Sequence, residues 1–143
     1  MPVPPPELLE HLKNVIPFNR FLGIELVAAR EGWVRLELPY RPEFLGDASR
    51  PALHGGVIST LIDTCGGFAV FTAIPFGEKV STIDLRVDYL APGGEDTLVA
   101  EGKVVRVGNR VGVVDITCFQ PSQPERIVAT GKGVYNIRRI TES

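Results

Sequence analysis

Residues 54–70 read HGGVISTLIDTCGGFAV. A histidine and two glycines open an apolar run that holds one carboxylate, Asp63. Glycine is poor in a helix interior but suits a helix mouth, where it lets a ligand approach the backbone. The amides of Gly55 and Gly56 then fall among the unpaired donors of a helix N-terminus, where the dipole favours negative charge. Read as a helix to about Ala73, the run has two unequal faces. Val57, Ile58, Leu61, Ile62, Cys65 and Phe68 make the apolar one. Ser59, Thr60, Gly66 and Gly67 are the helical neighbours of Asp63, on a narrow small and polar face. Burying a lone carboxylate is costly, so Asp63 should be paired, neutralised or employed. Its distance from Gly55 is roughly 12 Å of axial rise at ~1.5 Å per residue. That is too far for both to act on one carbonyl. A second copy, packed helix beside antiparallel helix, would bring the two together, so a catalytic reading predicts sites shared between chains.

Outward from this helix the pattern is regular. Residues 1–6 are Pro-rich and read as a loose lead. PPPELLEHLKNVI follows as a short amphipathic helix, with Leu8, Leu9, Leu12, Val15 and Ile16 on one stripe and Pro17 as its stop. PFNRFLG reads as a further helical turn or a tight loop. GIELVAARE and GWVRLELP predict two strands joined at Glu31-Gly32. YRPEFLGDASRPAL, with two prolines and a glycine, reads as a loop. After the helix, IPFGE is a break, and four strands follow: KVSTIDLRVDYLAP, DTLVAEGKVVRVG, NRVGVVDITCFQP and ERIVATGKGVYNIRRI. Two strands, one long helix and four strands predict an α+β fold, a curved antiparallel sheet with a helix on one face.

The 143-residue chain is long enough for one domain with a real core. Its net charge of -2 gives no electrostatic case for nucleic acid or an anionic membrane. No apolar run reaches the ~18 residues of a membrane span. The start MPVPPPELLEHLK lacks the basic-then-apolar pattern of an export signal, so the expectation is a cytoplasmic protein. Cys65 and Cys118 fit neither a metal spacing nor a disulfide framework.

The run LGDASRPALHGGVISTLIDTCGG, followed by STIDLRVDYLAP, resembles the hotdog-fold acyl-CoA thioesterases of the phenylacetyl-CoA thioesterase type. The order of elements from PFNRFLGIEL to the last strand is similar too. The resemblance implies a hotdog fold, with the sheet wrapped around the long helix. It implies a lead and short helix over 1–16 and a single hotdog thioesterase domain over 17–143. It makes Asp63 the catalytic base or nucleophile and the Gly55 amide the carbonyl-polarising donor, from the partner subunit, with Gly56 as a possible second donor. Thr82 would orient the water. The implied substrate is an acyl-CoA, the implied assembly a homodimer or dimer of dimers, and no metal or separate cofactor is needed.

One position departs from that pattern. Asp47 stands where the family commonly has asparagine; an ionised aspartate can only accept hydrogen bonds, whereas an amide can donate. Two carboxylates sharing one site would leave one of them protonated to a higher pH. His54 is either a helix cap or a general acid. Thr82, Asp84, Arg86 and Asp88 alternate and read as one polar strand face. Arg106, Asn109, Arg110, Lys132, Arg138 and Arg139 are candidates for a rim that binds the coenzyme A phosphates. Cys65 lacks a basic neighbour in sequence and reads as core. Two rival functions stay open: an enoyl-CoA hydratase on the same fold, and an acyl-CoA-binding module without turnover.

Overall fold

The computed structural model describes residues 1–140. Helix α1 (Pro6–Glu10) runs into a wide π-type turn (His11–Val15), and α2 (Pro17–Leu22) follows. Proline opens both helices, where its missing N–H is no loss. Gly23 closes α2 at φ 82°, its amide donating to the Asn19 and Arg20 carbonyls. The lead is not loose. Leu8 and Leu12 are buried in the core, and the Ala29 amide donates to the Pro2 carbonyl at 3.2 Å.

Strands β1 (Glu25–Arg30) and β2 (Trp33–Leu38) form the expected hairpin, and β2 alternates buried and half-buried residues along its whole length. The segment read as a plain loop has structure of its own. A 3-10 turn (Pro42–Phe44) leads into a small hairpin of β3 (Leu45–Asp47) and β4 (Ala52–Leu53). Strands this short show no periodicity in sequence, and the prolines hide them. The long helix is α3 (Gly55–Phe71), ending slightly before the expected limit. Strands β5 (Lys79–Tyr89), β6 (Leu98–Val107), β7 (Val111–Phe119) and β8 (Ala129–Arg138) complete the fold.

Six strands make one antiparallel sheet in the order β1-β2-β6-β7-β8-β5. Bulges in β1, β5 and β6 bend it. Helix α3 lies across the inner face and packs on β2, β5, β6, β7 and β8. Leu61, Ile62, Cys65, Phe68 and Ala69 of α3 meet Val34, Leu36, Ala100, Val114, Ile116 and Cys118 of the sheet in one buried cluster. This is the hotdog arrangement. Among the described residues no helix is long and apolar enough to cross a membrane.

Tyr135 of β8 joins helix to sheet. It is 1% exposed, and its hydroxyl donates to the Asp63 carbonyl at 3.0 Å. Gly66 and Gly133 make room for it: a Cβ at either position would overlap the Tyr135 phenol. Gly67, one residue on, is different, since a Cβ there would meet only Tyr135 Cε1 at an ordinary 3.8 Å.

The two glycines should therefore respond oppositely to alanine. Gly66→Ala overpacks the joint and should cost roughly 1–3 kcal/mol, in spite of alanine's better helix propensity. Gly67→Ala meets no obstacle and should gain up to about 1 kcal/mol. Melting temperatures of the two variants check this; equal shifts would contradict the joint described here.

Candidate active site

Asp63 lies mid-way along α3 and is half-buried. Among the described residues the Thr82 hydroxyl donates to its Oδ1 at 2.7 Å, and the Tyr135 phenol lies close enough to feel its charge. Oδ2 receives no hydrogen bond from any described residue. Below it, burial first and the neighbouring Asp63 charge second push the Tyr135 phenol well above its ordinary range. Tyr135 therefore stays a neutral donor at any working pH. One carboxylate oxygen is held and the other is left for a ligand or water.

Thr82 reaches Asp63 because of the bulge in β5. Thr82 pairs with Tyr135 and Asp84 with Val134, which leaves Ile83 as the extra residue, 57% exposed. The bulge reverses the alternation. Val80 and Thr82 face α3 before it; Leu85, Val87 and Tyr89, paired with Gly133, Gly131 and Ala129, face α3 after it. The single polar face expected for Thr82, Asp84, Arg86 and Asp88 is therefore divided. Thr82 points to the helix, while Asp84, Arg86 and Asp88 point away. An extra residue that breaks a period of two leaves no mark in sequence.

At the far end of β5, Tyr89 covers the helix mouth. Its hydroxyl donates to the Gly55 carbonyl at 3.0 Å. Sequence reasoning quoted Tyr89 within DYLAP but gave it no role. His54 is the N-cap of α3: its Nδ1 accepts the Gly56 N–H at 2.8 Å. An accepting Nδ1 carries no proton, so only Nε2 is left for any acid role. The same bond uses the Gly56 amide, which removes Gly56 from the expected pair of donors. The Gly55 N–H has no acceptor among the described residues. One helix-mouth amide is thus open where two were expected. Gly55 and Asp63 are fixed on one straight helix, and a single chain does not bring them together.

Asp47 ends β3, in the hairpin that leads into the helix mouth. It does not meet Asp63 within the chain. Its Oδ1 accepts from the Ser49 amide at 3.0 Å and the Ser49 hydroxyl at 2.6 Å, and its Oδ2 from Arg50 Nε at 2.7 Å. The Ser49 hydroxyl above all, then Arg50 and the Ser49 amide, pull its pKa down to about 2. Asp47 is ionised, not held protonated as a carboxyl shared with Asp63 would be.

The cationic candidates do not form one cluster. Lys132 lies on the sheet face away from α3, paired with Asp115 at 3.2 Å. Arg106 is exposed near the end of β6, and Asn109 and Arg110 are exposed in the β6–β7 turn. That turn sits at the C-terminal end of α3, where a Cβ on Gly112 would lie 2.9 Å from Val70. Arg139 is committed to structure: it pairs with buried Glu78 at 2.7 Å and donates to the Gly108 and Asn109 carbonyls. Arg138 ends β8 and is exposed. Both cysteines are buried free thiols. Burial pushes Cys65 well up and Cys118 to about 12, so neither is a thiolate nucleophile.

Residues 51–127 match the Thioesterase superfamily. A protein of Halobacterium salinarum named as an esterase is 40% identical over 83% of this chain and 83% of its own length. The medium/long-chain acyl-CoA thioesterase YigI of Escherichia coli is 33% identical over 76% of this chain and 78% of its own. A crystal structure from Shewanella oneidensis, described as related to the thioesterase superfamily, superposes with a TM-score of 0.76 at 31% identity. That match covers 93% of this chain and 99% of the other.

The environment of Asp47 is open to direct measurement. Each of its partners favours the charged form, so losing them must raise its pKa. In a carboxyl NMR titration Asp47 should ionise at about 2 in the wild type and move toward 3.8 in Ser49→Ala/Arg50→Gln. A wild-type Asp47 that already titrates near 3.8 would contradict the pinned geometry.

Proposed function

Since the chain belongs to the thioesterase superfamily, we propose that it hydrolyses acyl-CoA thioesters at a site built from two copies of itself. One observation carries this reading: the two ends of β5 hold the two reactive groups. Thr82 holds the Asp63 carboxylate, and Tyr89 covers the mouth where the Gly55 amide is open. Strand β5 is also an edge strand of the sheet, paired among the described residues on one side only, by β8. It exposes Ile83 and Tyr89, and Leu90 follows directly after it. An eleven-residue edge strand with its outer backbone groups unpaired invites another strand. A two-fold axis near the middle of β5 sets the Thr82 end of one copy against the Tyr89 end of the other. Asp63 then faces a Gly55 amide across the interface, which removes the separation of roughly 12 Å along one helix.

In this arrangement the thioester carbonyl accepts from the Gly55 N–H at the positive end of α3. Asp63 Oδ2 takes a proton from water, and the hydroxide adds to the carbonyl carbon. The negative charge that forms on the carbonyl oxygen rests on the amide. Collapse of the tetrahedral intermediate expels coenzyme A as its thiolate, which takes up a proton. The alternative is direct attack by Asp63 Oδ2 on the carbonyl carbon, which breaks the C–S bond and expels the coenzyme A thiolate to leave a mixed anhydride; water then cleaves the anhydride to the free acid and restores the carboxylate. The same geometry serves both routes. Thr82 fixes the carboxylate, and Tyr135 fixes the helical turn that bears it. A hydratase needs an acid and a histidine within reach of each other. Here His54 caps the helix, and His11 lies beside Phe68 and Phe71.

Mixing two inactive chains tests the shared site. Asp63→Asn should lower kcat by roughly 10²–10⁴. Gly55→Pro should lower it by about 10²–10³ through loss of one donor. The backbone admits proline, since Gly55 is the first residue of α3 and His54 at φ -64°, ψ 133° has the conformation that precedes one, but a Cβ there would lie 3.3 Å from Tyr89 Cε1, so the Tyr89 ring must shift. After subunit exchange of equal amounts, random pairing should restore about a quarter of wild-type activity, from one intact site per heterodimer. Verified heterodimers without activity would place the site within one chain. Binding of acyl-CoA by the wild type without release of free thiol would favour the non-catalytic module.

A further inference from the structure

A cavity of about 500 Å³ lies between the C-terminal end of α3, the start of β5 and the N-terminal helical segment. Small-ligand pockets span about 300–1,000 Å³. Phe71, Ile74 and Val80 line it on the core side, and Leu8 and Ile16 on the other. His11 completes the wall, with its ring 4.8 Å from that of Phe71. Burial first, and Lys79 second, lower the His11 pKa below 6.5, which favours the neutral ring at pH 7; Glu7, Glu78 and Lys79 also line the cavity. Neither Asp63 nor Thr82 lines the cavity.

Two rows of residues nevertheless lead to it from the candidate site. On α3, Asp63, Gly67 and Phe71 follow one another at a spacing of four, on one face. On β5, Thr82 and Val80 share the face toward the helix. Between Asp63 and Phe71 the helix surface is bare because residue 67 has no side chain. Nothing in the chain requires that glycine. Its neighbour Gly66 has to be glycine to admit Tyr135, whereas a Cβ at Gly67 makes only an ordinary contact at 3.8 Å. A helix-interior glycine destabilises a helix relative to alanine, and the bare surface it leaves lies between the carboxylate and the cavity.

We infer that the cavity receives the hydrocarbon chain of the acyl group, which runs from the thioester at Asp63 over Gly67 and past Phe71. The assignment rests on the acyl-CoA reading of the site. It makes Gly67 and Ile74 residues that set chain length. From Asp63 to Phe71 the chain must travel roughly 12 Å. Acetyl and butyryl groups end on the groove; dodecanoyl reaches the cavity and loses contact with water there. An uncharged hydrocarbon chain suits the side of the cavity formed by Leu8, Ile16, Phe71, Ile74 and Val80.

The test compares butyryl-CoA with dodecanoyl-CoA in turnover, and the S-butyl and S-dodecyl thioethers of coenzyme A in calorimetric binding. The wild type should favour the longer chain at least tenfold in kcat/KM and in Kd. Gly67→Leu blocks the groove, and Ile74→Trp fills the cavity. Each should reduce the long-to-short ratio at least tenfold in both measurements. Melting curves establish that each variant is folded; where one is not, the other decides. The assignment is overturned by a wild type without chain-length preference in binding. It is also overturned by a preference that survives in a folded variant. Should the thioethers show the expected preference and its loss while no acyl-CoA is hydrolysed, the cavity assignment stands and the hydrolase reading falls.

Discussion

The hydrogen bond from the Tyr135 hydroxyl to the Asp63 carbonyl sets the position of everything else in this molecule. A buried phenol must find an acceptor, since an unpaired one costs about 1–3 kcal/mol. Tyr135 finds it on the helix rather than on the sheet. That choice fixes both the height and the rotation of α3 above the strands. Turning the helix by one residue, about 100°, would carry the carboxylate away from Thr82 and drive an apolar residue into its place. Gly66 and Gly133 leave the phenol no second seat. The Asp63 carboxylate is thus aimed through its own backbone, with Oδ1 fixed by Thr82.

The long elements and the central pair were legible in the sequence. Helix α3 and the six strands of the main sheet follow from period and turn residues, and the resemblance around HGG and DYLAP singled out Asp63 and Thr82, though it gave Thr82 a water to orient rather than the carboxylate it holds. What was hidden depends on contacts between elements. Tyr135 is one aromatic among many in strand-forming segments, and its role exists only when Gly66 lies opposite. Tyr89 gains its role from the strand's position against the helix mouth. Lys132 stands apart from Arg106, Asn109 and Arg110 because strand register assigns its face, and register cannot be read from one chain's composition. The hairpin of β3 and β4 is too short to show a period.

The helix mouth shows how two identical residues are given separate tasks. Gly55 and Gly56 both offer amides at the positive end of α3, and His54 takes one of them. A cap stabilises the helix start, so the donor it removes is exchanged for rigidity in the donor that is left. Tyr89 adds to this by holding the Gly55 carbonyl. A fixed amide is worth more than a mobile one, because no reorganisation is needed as charge develops. Asp47, pinned by Ser49 and Arg50 in the adjacent hairpin, forms an ion pair that adds no net charge to this end of the molecule.

The bulge at Ile83 ties an odd number to an even one. Thr82 and Tyr89 are seven positions apart, an odd separation, yet both face α3. In a regular strand one of them would point outward. Within one chain the Ile83 side chain is largely in solvent, so the bulge asks only that a residue be there, while the proposed edge-to-edge contact sets which kind. The segment between Thr82 and Tyr89 should therefore hold its length. Descendants of this chain could gain or lose residues there only in pairs, as any single step would turn one of the two contacts out of the site.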